Sequence, residues 1–550
     1  MANDKLVAFH RMRLDELRRD RSTWEAQWTE AAQRVIPADS NIFQSAGQTG
    51  LLVPGQKNTQ YMFDATPALA CQRFASVIES LSTPQNSRWH FLAAADKTLQ
   101  ANRRVREYFE QVTDILFAER YRPGSNFVAN TQQVYLSQGA YGNGIMYVDM
   151  PEDRKGLRYR NVHLGETYFV ENHARVVDTV YRTFWLTARQ AVQLFPKGLP
   201  EAIRTAANDA KRCETKYQFL HVVAPRDDYI PGMLGNAGKR FTSCYISVQP
   251  EALLSEGGYN SFPYAITRYT QAAGEIYGRG PAQWVLPAIK LLNEQKKTLI
   301  KQGHRTVDPI LLAHDDGSLD GFTMRAGYLN KGGLSAEGRR LVDVLPVGRV
   351  DVGEKMMEME IKVINDAFLI SLFQILVETP QMTATEVLER AREKGMLVAP
   401  LAGRMQSEFL GPLIERELEV LAAQGLLPPP PPLLAQSGGQ YKIEYDSPMS
   451  RMQRAEAAAG FMRTLNTAAE YAKMTQDPSP LDYFNFAEVM PALMDINGVP
   501  TRWVATDDQV AAKQQLRTQQ AQQAQMGQSA PGLAQLLKVA PDIIKTNPNQ

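Results

Sequence analysis

Hydrophobic residues recur at helical spacing from the start of the chain. Leu6, Met12, Leu14, Leu17, Trp24, Trp28, Ala31 and Val35 predict one amphipathic helix over 5–35, which Pro37 ends. Arg11, Arg13, Arg18, Arg19 and Arg21 alternate with acids along it and read as a solvated face. Residues 38–60, rich in Gly, Ser and Gln, read as a loop, and helices follow at 66–82, closed by Pro84, and at 98–120. The texture changes at 126. A helix at 127–138 leads into Gly139-Ala-Tyr-Gly-Asn-Gly and a strand at 145–150. Tyr-, Phe-, Val- and Thr-rich runs at 157–162, 165–171, 176–185, 215–224, 241–249 and 263–269 predict further strands. Residues 1–279 are therefore expected to form one large mixed domain, and the whole chain an α+β protein that is mainly α-helical.

The next stretch pairs two helices around a small insert. Gly278-Arg-Gly280-Pro281 opens a helix, with Pro281 suited to the first helical position, and it continues to about 302. Pro287 is expected to kink or restart it, and Gly303 to break it. Val285, Ala288, Ile289, Leu292 and Leu299 fall on one side; Lys290, Glu294, Lys297 and Lys301 fall on the other. Short strands and turns fill 306–351. A second helix of similar length, 353–373, carries Met357, Ile361, Ile364, Phe368 and Leu372 on one stripe. The two helices can lie antiparallel only if the insert caps their shared end. A loop at 374–382 contains Pro380, and Thr383-Ala-Thr-Glu386 forms a capping box for a helix at 384–394. Another helix runs over 401–424 and stops at Gly425. Pro428 to Pro432 form a stiff extended spacer. Helices at 449–474, 480–494 and 506–526 follow, and 527–550 reads as a frayed end.

Composition narrows the function classes. Lys plus Arg is 60 and Asp plus Glu 59, a formal net charge of +1. That speaks against a protein that wraps nucleic acid, which needs a basic excess to neutralise phosphates, but is compatible with one that lets nucleic acid slide past. The three cysteines, Cys71, Cys213 and Cys244, have no paired spacing and read as small core or surface residues, which suits a cytoplasmic setting for folding. Met1-Ala-Asn-Asp-Lys leads into a charged helix rather than an apolar signal region. No stretch approaches the roughly 20 apolar residues of a membrane span.

Catalytic patterns fail on inspection. Gly232-Met-Leu-Gly235-Asn-Ala-Gly238-Lys239-Arg240 puts five residues rather than four before its Gly-Lys pair, and Arg240 stands where a magnesium-binding Ser or Thr belongs. It reads as a surface turn. The seven histidines are scattered, and the acidic pairs Asp315-Asp316 and Asp507-Asp508 sit in turn or helix-start contexts. No cofactor, metal site or enzymatic role is called for.

Four segments in order carry a resemblance. They are Arg19-Asp-Arg-Ser-Thr-Trp-Glu within residues 1–35, Gln133-Val-Tyr-Leu-Ser-Gln-Gly-Ala-Tyr-Gly-Asn-Gly, Tyr277-Gly-Arg-Gly-Pro-Ala through Lys301-Gln-Gly, and Met382-Thr-Ala-Thr-Glu-Val through Leu410-Gly-Pro-Leu-Ile-Glu-Arg. Together they resemble the head-to-tail connector (portal) family of podovirus-type phages over roughly residues 5–430. The resemblance implies a portal fold assembled as a ring, expected to be a dodecamer. Residues 1–279 and 384–427 would form the wing, 280–305 and 352–373 the stem helices, and 306–351 the clip. Residues 374–383 would form the tunnel loop, 428–446 a Pro-rich linker and 447–550 the crown. It further implies a channel for double-stranded DNA at one capsid vertex. Tail adaptor, major capsid, scaffolding and terminase large-subunit proteins would be its partners, in a virion assembled in the host cytoplasm. Glu378, Gln381 and Met382 on the loop would lie near DNA. Lys290, Lys297 and Lys301 share a helix face; either they ring the lumen, or they face outward and pair with Glu294 and neighbouring subunits. The rival readings are another virion protein, such as an internal core or ejection protein, and a DNA-processing enzyme. A hairpin with two apolar stripes needs neighbours on both sides, which a closed ring supplies.

Overall fold

A computed structural model describes residues 2–371 and 400–520. Within that span it omits 42, 44–54, 56–57, 152–154, 314–322, 324, 326, 330–333, 336, 346–349, 447, 476–478, 480–482, 486–488, 491–492, 495–502, 506–508 and 514. The chain divides into two compact units. The first comprises residues 1–92, 111–429 and 443–449; the second comprises 93–110, 430–442 and 450–550. The predicted tunnel loop 374–383, the capping box at Thr383 and the helix at 384–394 lie outside the described residues.

The first unit is built on two antiparallel sheets. Helix α1 (Ala2–Val35) is followed by α2 (Thr66–Ser82), then α3 (Arg103–Arg120), of which residues 111–120 belong to this unit, and α4 (Phe127–Tyr141). Strands β1 (Asn143–Asp149), β2 (Arg158–Asn161) and β8 (Tyr264–Arg268) make a three-stranded sheet with β1 central, Ile145 opposite Ile266 and Tyr147 opposite Arg160. The other strands are β3 (Thr167–Glu171), β4 (Val177–Thr187), β5 (Lys216–Pro225), β6 (Phe241–Ser247) and β7 (Ala252–Tyr259). They form a five-stranded meander in chain order. Alternate residues point to opposite sheet faces, so β5 serves two cores. Leu220 and Val222 pack under α1 with Val7, Leu14 and Leu17. Phe219 packs on the other side with Ala191, Phe195 and Ile203, from α5 (Ala188–Leu194), α6 (Glu201–Asn208) and the turn between them. Both faces of β5 are buried, which is why it reads as a near-continuous apolar run.

Several expectations change. Helices α5 and α6 and strand β7 were not legible: Pro196 and Pro200 interrupt the helical pattern, and Gly257-Gly258 weakens the strand pattern. Arg21 is buried, not solvated. Its guanidinium donates to the carbonyls of Leu164 (3.0 Å), Gly165 (3.1 Å) and Thr167 (2.7 Å), and to Glu25. It also lies 3.6 Å over the Tyr168 ring. Other arginines of α1 pair nearer the surface, Arg13 with Glu16 and Arg18 with Asp15. Cys71 and Cys244 are buried thiols, and all three cysteines are free.

Further along, α9 (Gly411–Ala423) follows a turn of wider helix at Gln406–Leu410. It places Glu417 against Arg120, the two side chains fully buried. Arg120 Nε donates to Glu417 Oε1 at 3.0 Å, and Tyr159 donates its hydroxyl to the same oxygen at 2.6 Å. Burial works against the charge on Arg120, but Glu417 outweighs it and holds the guanidinium above its usual range. In the second unit the Pro run gives way to a short helix at Pro432–Gln436, and Pro448–Thr475 is one long helix, α10. Among the described residues, no helix is long and apolar enough to cross a membrane.

Removing one member of a buried ion pair strands the other charge, at a cost of about 3–5 kcal/mol. Glu417→Gln is therefore expected to lower the unfolding free energy by that order in urea titration. Glu16→Gln, at an exposed pair, should change it by less than about 1 kcal/mol.

Candidate functional site: a helical hairpin and its footing

The pair of helices predicted from the sequence is present. A single turn at Pro281–Trp284 precedes α7 (Leu286–Val307), and α8 is Val350–Ala367. Pro287 sits in the first turn of α7, so it restarts the helix, as expected of a residue with no amide proton to donate. Gly303 does not break it; α7 runs on through that position to Val307. Between the helices, Leu311–Ala313 (β9) pairs antiparallel with Val342–Val344 (β10), Leu312 opposite Asp343. The second helix returns along the first: Gly353, in the first turn of α8, lies against Leu299 in the far half of α7. Met357, Ile364 and Phe368 are buried and Ile361 is half-buried, which bears out the predicted stripe as far as it is described. At its far end Phe368 meets Phe74 of α2 edge-to-face at 6.1 Å.

The hairpin stands on a close backbone contact. Gly142 ends α4 with φ +75°. A Cβ there would lie 2.4 Å from the Gly280 nitrogen, and a Cβ on Gly280 would lie 2.6 Å from the Gly142 nitrogen and 2.7 Å from the Gln138 carbonyl. No side chain fits on either residue. Asn143 ties the same two segments together: it accepts from the Gly278 amide at 2.7 Å and donates to the Gly278 carbonyl at 3.0 Å. Gly280 caps the turn that follows, its amide bonded to Gln283 Oε1 at 2.9 Å. Tyr277, beside this contact, packs against Trp28, Trp24 and Phe169. Higher up, buried Asn293 of α7 accepts from the Phe63 amide at 2.8 Å and the Asp64 amide at 3.2 Å, fastening the 61–64 segment to the helix. Sequence reasoning singled out both glycine motifs but gave no sign that they touch.

The predicted site residues fall as follows. Lys290, Lys297 and Lys301 lie on one face of α7. Lys290 Nζ is 2.5 Å from Glu30 of α1. Lys297 is 3.5 Å from Glu294 and sits 5.4 Å from the centre of the Phe63 ring. Lys301 is exposed. Glu378, Gln381 and Met382 lie outside the described residues.

The family described as bacteriophage head to tail connecting protein matches residues 10–504, so both glycine motifs, the hairpin and α9 all lie within the match. The chain belongs to this family. Two curated relatives agree over nearly the full length. The probable portal protein of Bordetella phage BPP-1 is 26% identical over 94% of this chain and 92% of its own. The portal protein of Salmonella phage epsilon15 is 25% identical with the same coverage. The family match thus takes in the α4–α7 footing as well as the N-terminal helix that buries Arg21.

Overfilling a packed backbone contact costs about 1–3 kcal/mol, whereas replacing a glycine inside an open helix gains up to about 1 kcal/mol. Gly280→Ala is expected to lower the melting temperature markedly. Gly303→Ala, where nothing lies within 4 Å of a new Cβ, should raise it slightly in the same thermal scan.

Proposed function

We propose that this chain is the portal subunit of a tailed phage: copies of it form a ring at one capsid vertex, through which double-stranded DNA enters and leaves the head. The observation that carries the reading is a family match over residues 10–504 together with an antiparallel hairpin whose outer apolar side chains are left exposed within one chain. Met356, Met359, Val352 and Val363 on α8, and Ile300 and Leu291 on α7, are all more than 40% exposed. Unpartnered apolar side chains on a rigid pair of helices suit burial by neighbouring copies, and a head-to-tail contact that closes gives a ring.

In this reading residues 1–279 and 384–427 are the wing, 280–305 and 352–373 the stem, 306–351 the clip and 374–383 the tunnel loop, with 428–446 a linker and 447–550 the crown. The β9–β10 pair at the tip of the hairpin is the clip that meets tail adaptor proteins and, during packaging, the terminase large subunit. Major capsid and scaffolding proteins surround the ring, which holds twelve copies and resides in the virion after assembly in the host cytoplasm. The near balance of charge suits a channel along which DNA must slide, because strong phosphate neutralisation would hold it in place. Glu378, Gln381 and Met382 are the channel-side groups of this reading; Lys290 and Lys297, which pair with Glu30 and Glu294 within the chain, and Lys301 take the outward-facing alternative. The protein acts as a structural conduit and not as an enzyme.

Negative-stain imaging of the purified full chain is expected to give rings with a central hole; a monomer at every concentration would overturn the reading. Deleting 374–382 is expected to leave those rings intact while reducing DNA packaged per head. Loss of rings in the deletion would refute the loop assignment.

A further inference from the structure

Resting on the portal reading, we infer that the seam between neighbouring subunits joins two different apolar patches of the same hairpin, one beyond each helix. The first patch is on α8. Val352, Met356, Met359 and Val363 follow at spacings of four, three and four, and all four are exposed. At 3.6 residues per turn this stripe lies about 140° round the helix from the mean direction of Met357, Ile361 and Ile364, which face α7 and the core. The helix therefore has two apolar faces and uses only one of them within its own chain.

The second patch is beyond α7. Asn293 fixes the 61–64 segment to this helix, and Tyr61, Phe63 and Ile300 are exposed there. Ile300 and Asn293 point about 110° round α7 from Leu299, the residue that meets α8. The patch therefore sits on the flank turned away from α8. One hairpin thus carries one unpartnered apolar surface past each of its helices, and the two surfaces differ in composition. A two-fold dimer would pair a patch with itself and leave the other bare. A head-to-tail contact covers both in every copy.

Charge favours the same partner. Helix α7 has five Lys or Arg residues against the single Glu294, whereas α8 has five Asp or Glu residues against Lys355 and Lys362. Setting α8 of one copy beside α7 of the next places an acidic helix next to a basic one. Pairing like with like would bring helices of the same net charge together, and such repulsion selects against the wrong register. The occupant of each patch is the other patch on a second copy of this chain.

The test uses two full-length variants that fail alone and complement each other. Variant one carries Met356→Lys and Met359→Lys; variant two carries Tyr61→Glu and Ile300→Glu. All four side chains are exposed in the single chain, Met359 at 68%, so the fold tolerates charge there; circular dichroism and thermal melting check this. Each variant alone is expected to lose rings and sediment as a monomer. Mixed in equal amounts, they should regain rings of strictly alternating subunits. In such rings every contact is either lysine against glutamate or the original apolar pair. Rescue between separate chains cannot come from contacts inside one hairpin. Rings from either variant alone would overturn the seam while leaving the portal reading in place. Folded monomers that stay apart on mixing would also overturn it. Wild-type chains that never form rings would instead overturn the portal reading itself.

Discussion

The contact between Gly142 and Gly280 governs the rest of the first unit. Two backbones approach until neither has room for a Cβ, and Asn143 makes the junction directional by bonding both polar groups of Gly278. One side of this contact ends the helix that feeds the central strand of the small sheet. The other side caps the turn from which α7 departs. The direction of the hairpin is consequently set at its base, by hydrogen bonds and steric exclusion. Exposed side chains along its length have little part in setting it.

Around that base the protein places charge where water is absent. Arg21 satisfies three carbonyls at the β2–β3 connection and stacks over Tyr168, which locks α1 to the sheet. Arg120 and Glu417 do the same between α3 and α9, with Tyr159 sharing the carboxylate. Arg268 joins Glu171 and Glu408 in a third such cluster. Buried pairs of this kind contribute little net stability against an apolar alternative, but a misplaced partner is heavily penalised. Their value here is positional: each fixes segments far apart in sequence at one relative placement. The hairpin depends on such definition, because small errors at the base are enlarged along a helix of 22 residues.

The hairpin itself is amphipathic in two senses. Its inner stripes close a core within the chain, and its outer apolar side chains stay exposed in the single chain. Trp284, at the foot, and Ile300, farther along, are both exposed. The polar complement follows a different division, basic on α7 and acidic on α8. Surfaces that differ on two sides of one element suit a head-to-tail arrangement, in which each subunit is at once donor and acceptor of the same contact.

Periodicity and composition located α1, α2, the matched helices, the Pro287 restart and seven of the eight strands of the two larger sheets, because each of these carries its apolar residues in a regular local pattern. The four ordered motifs by themselves carry the family resemblance. The pattern was silent where burial is decided by remote neighbours. β7 lacks an apolar alternation and is held by pairing with β6; Arg21 looks like its solvated neighbours until three carbonyls converge on it. The second stripe on α8, Val352, Met356, Met359 and Val363, was not among the expectations from sequence; its exposure beside buried Met357 and Ile364 in the folded chain reveals it. Local sequence thus determined which segments are helix or strand, since that depends on residues within a few turns. Which glycines must touch, which charges are buried and which apolar face stays open were settled by the folded chain, because these depend on contacts between residues more than a hundred positions apart.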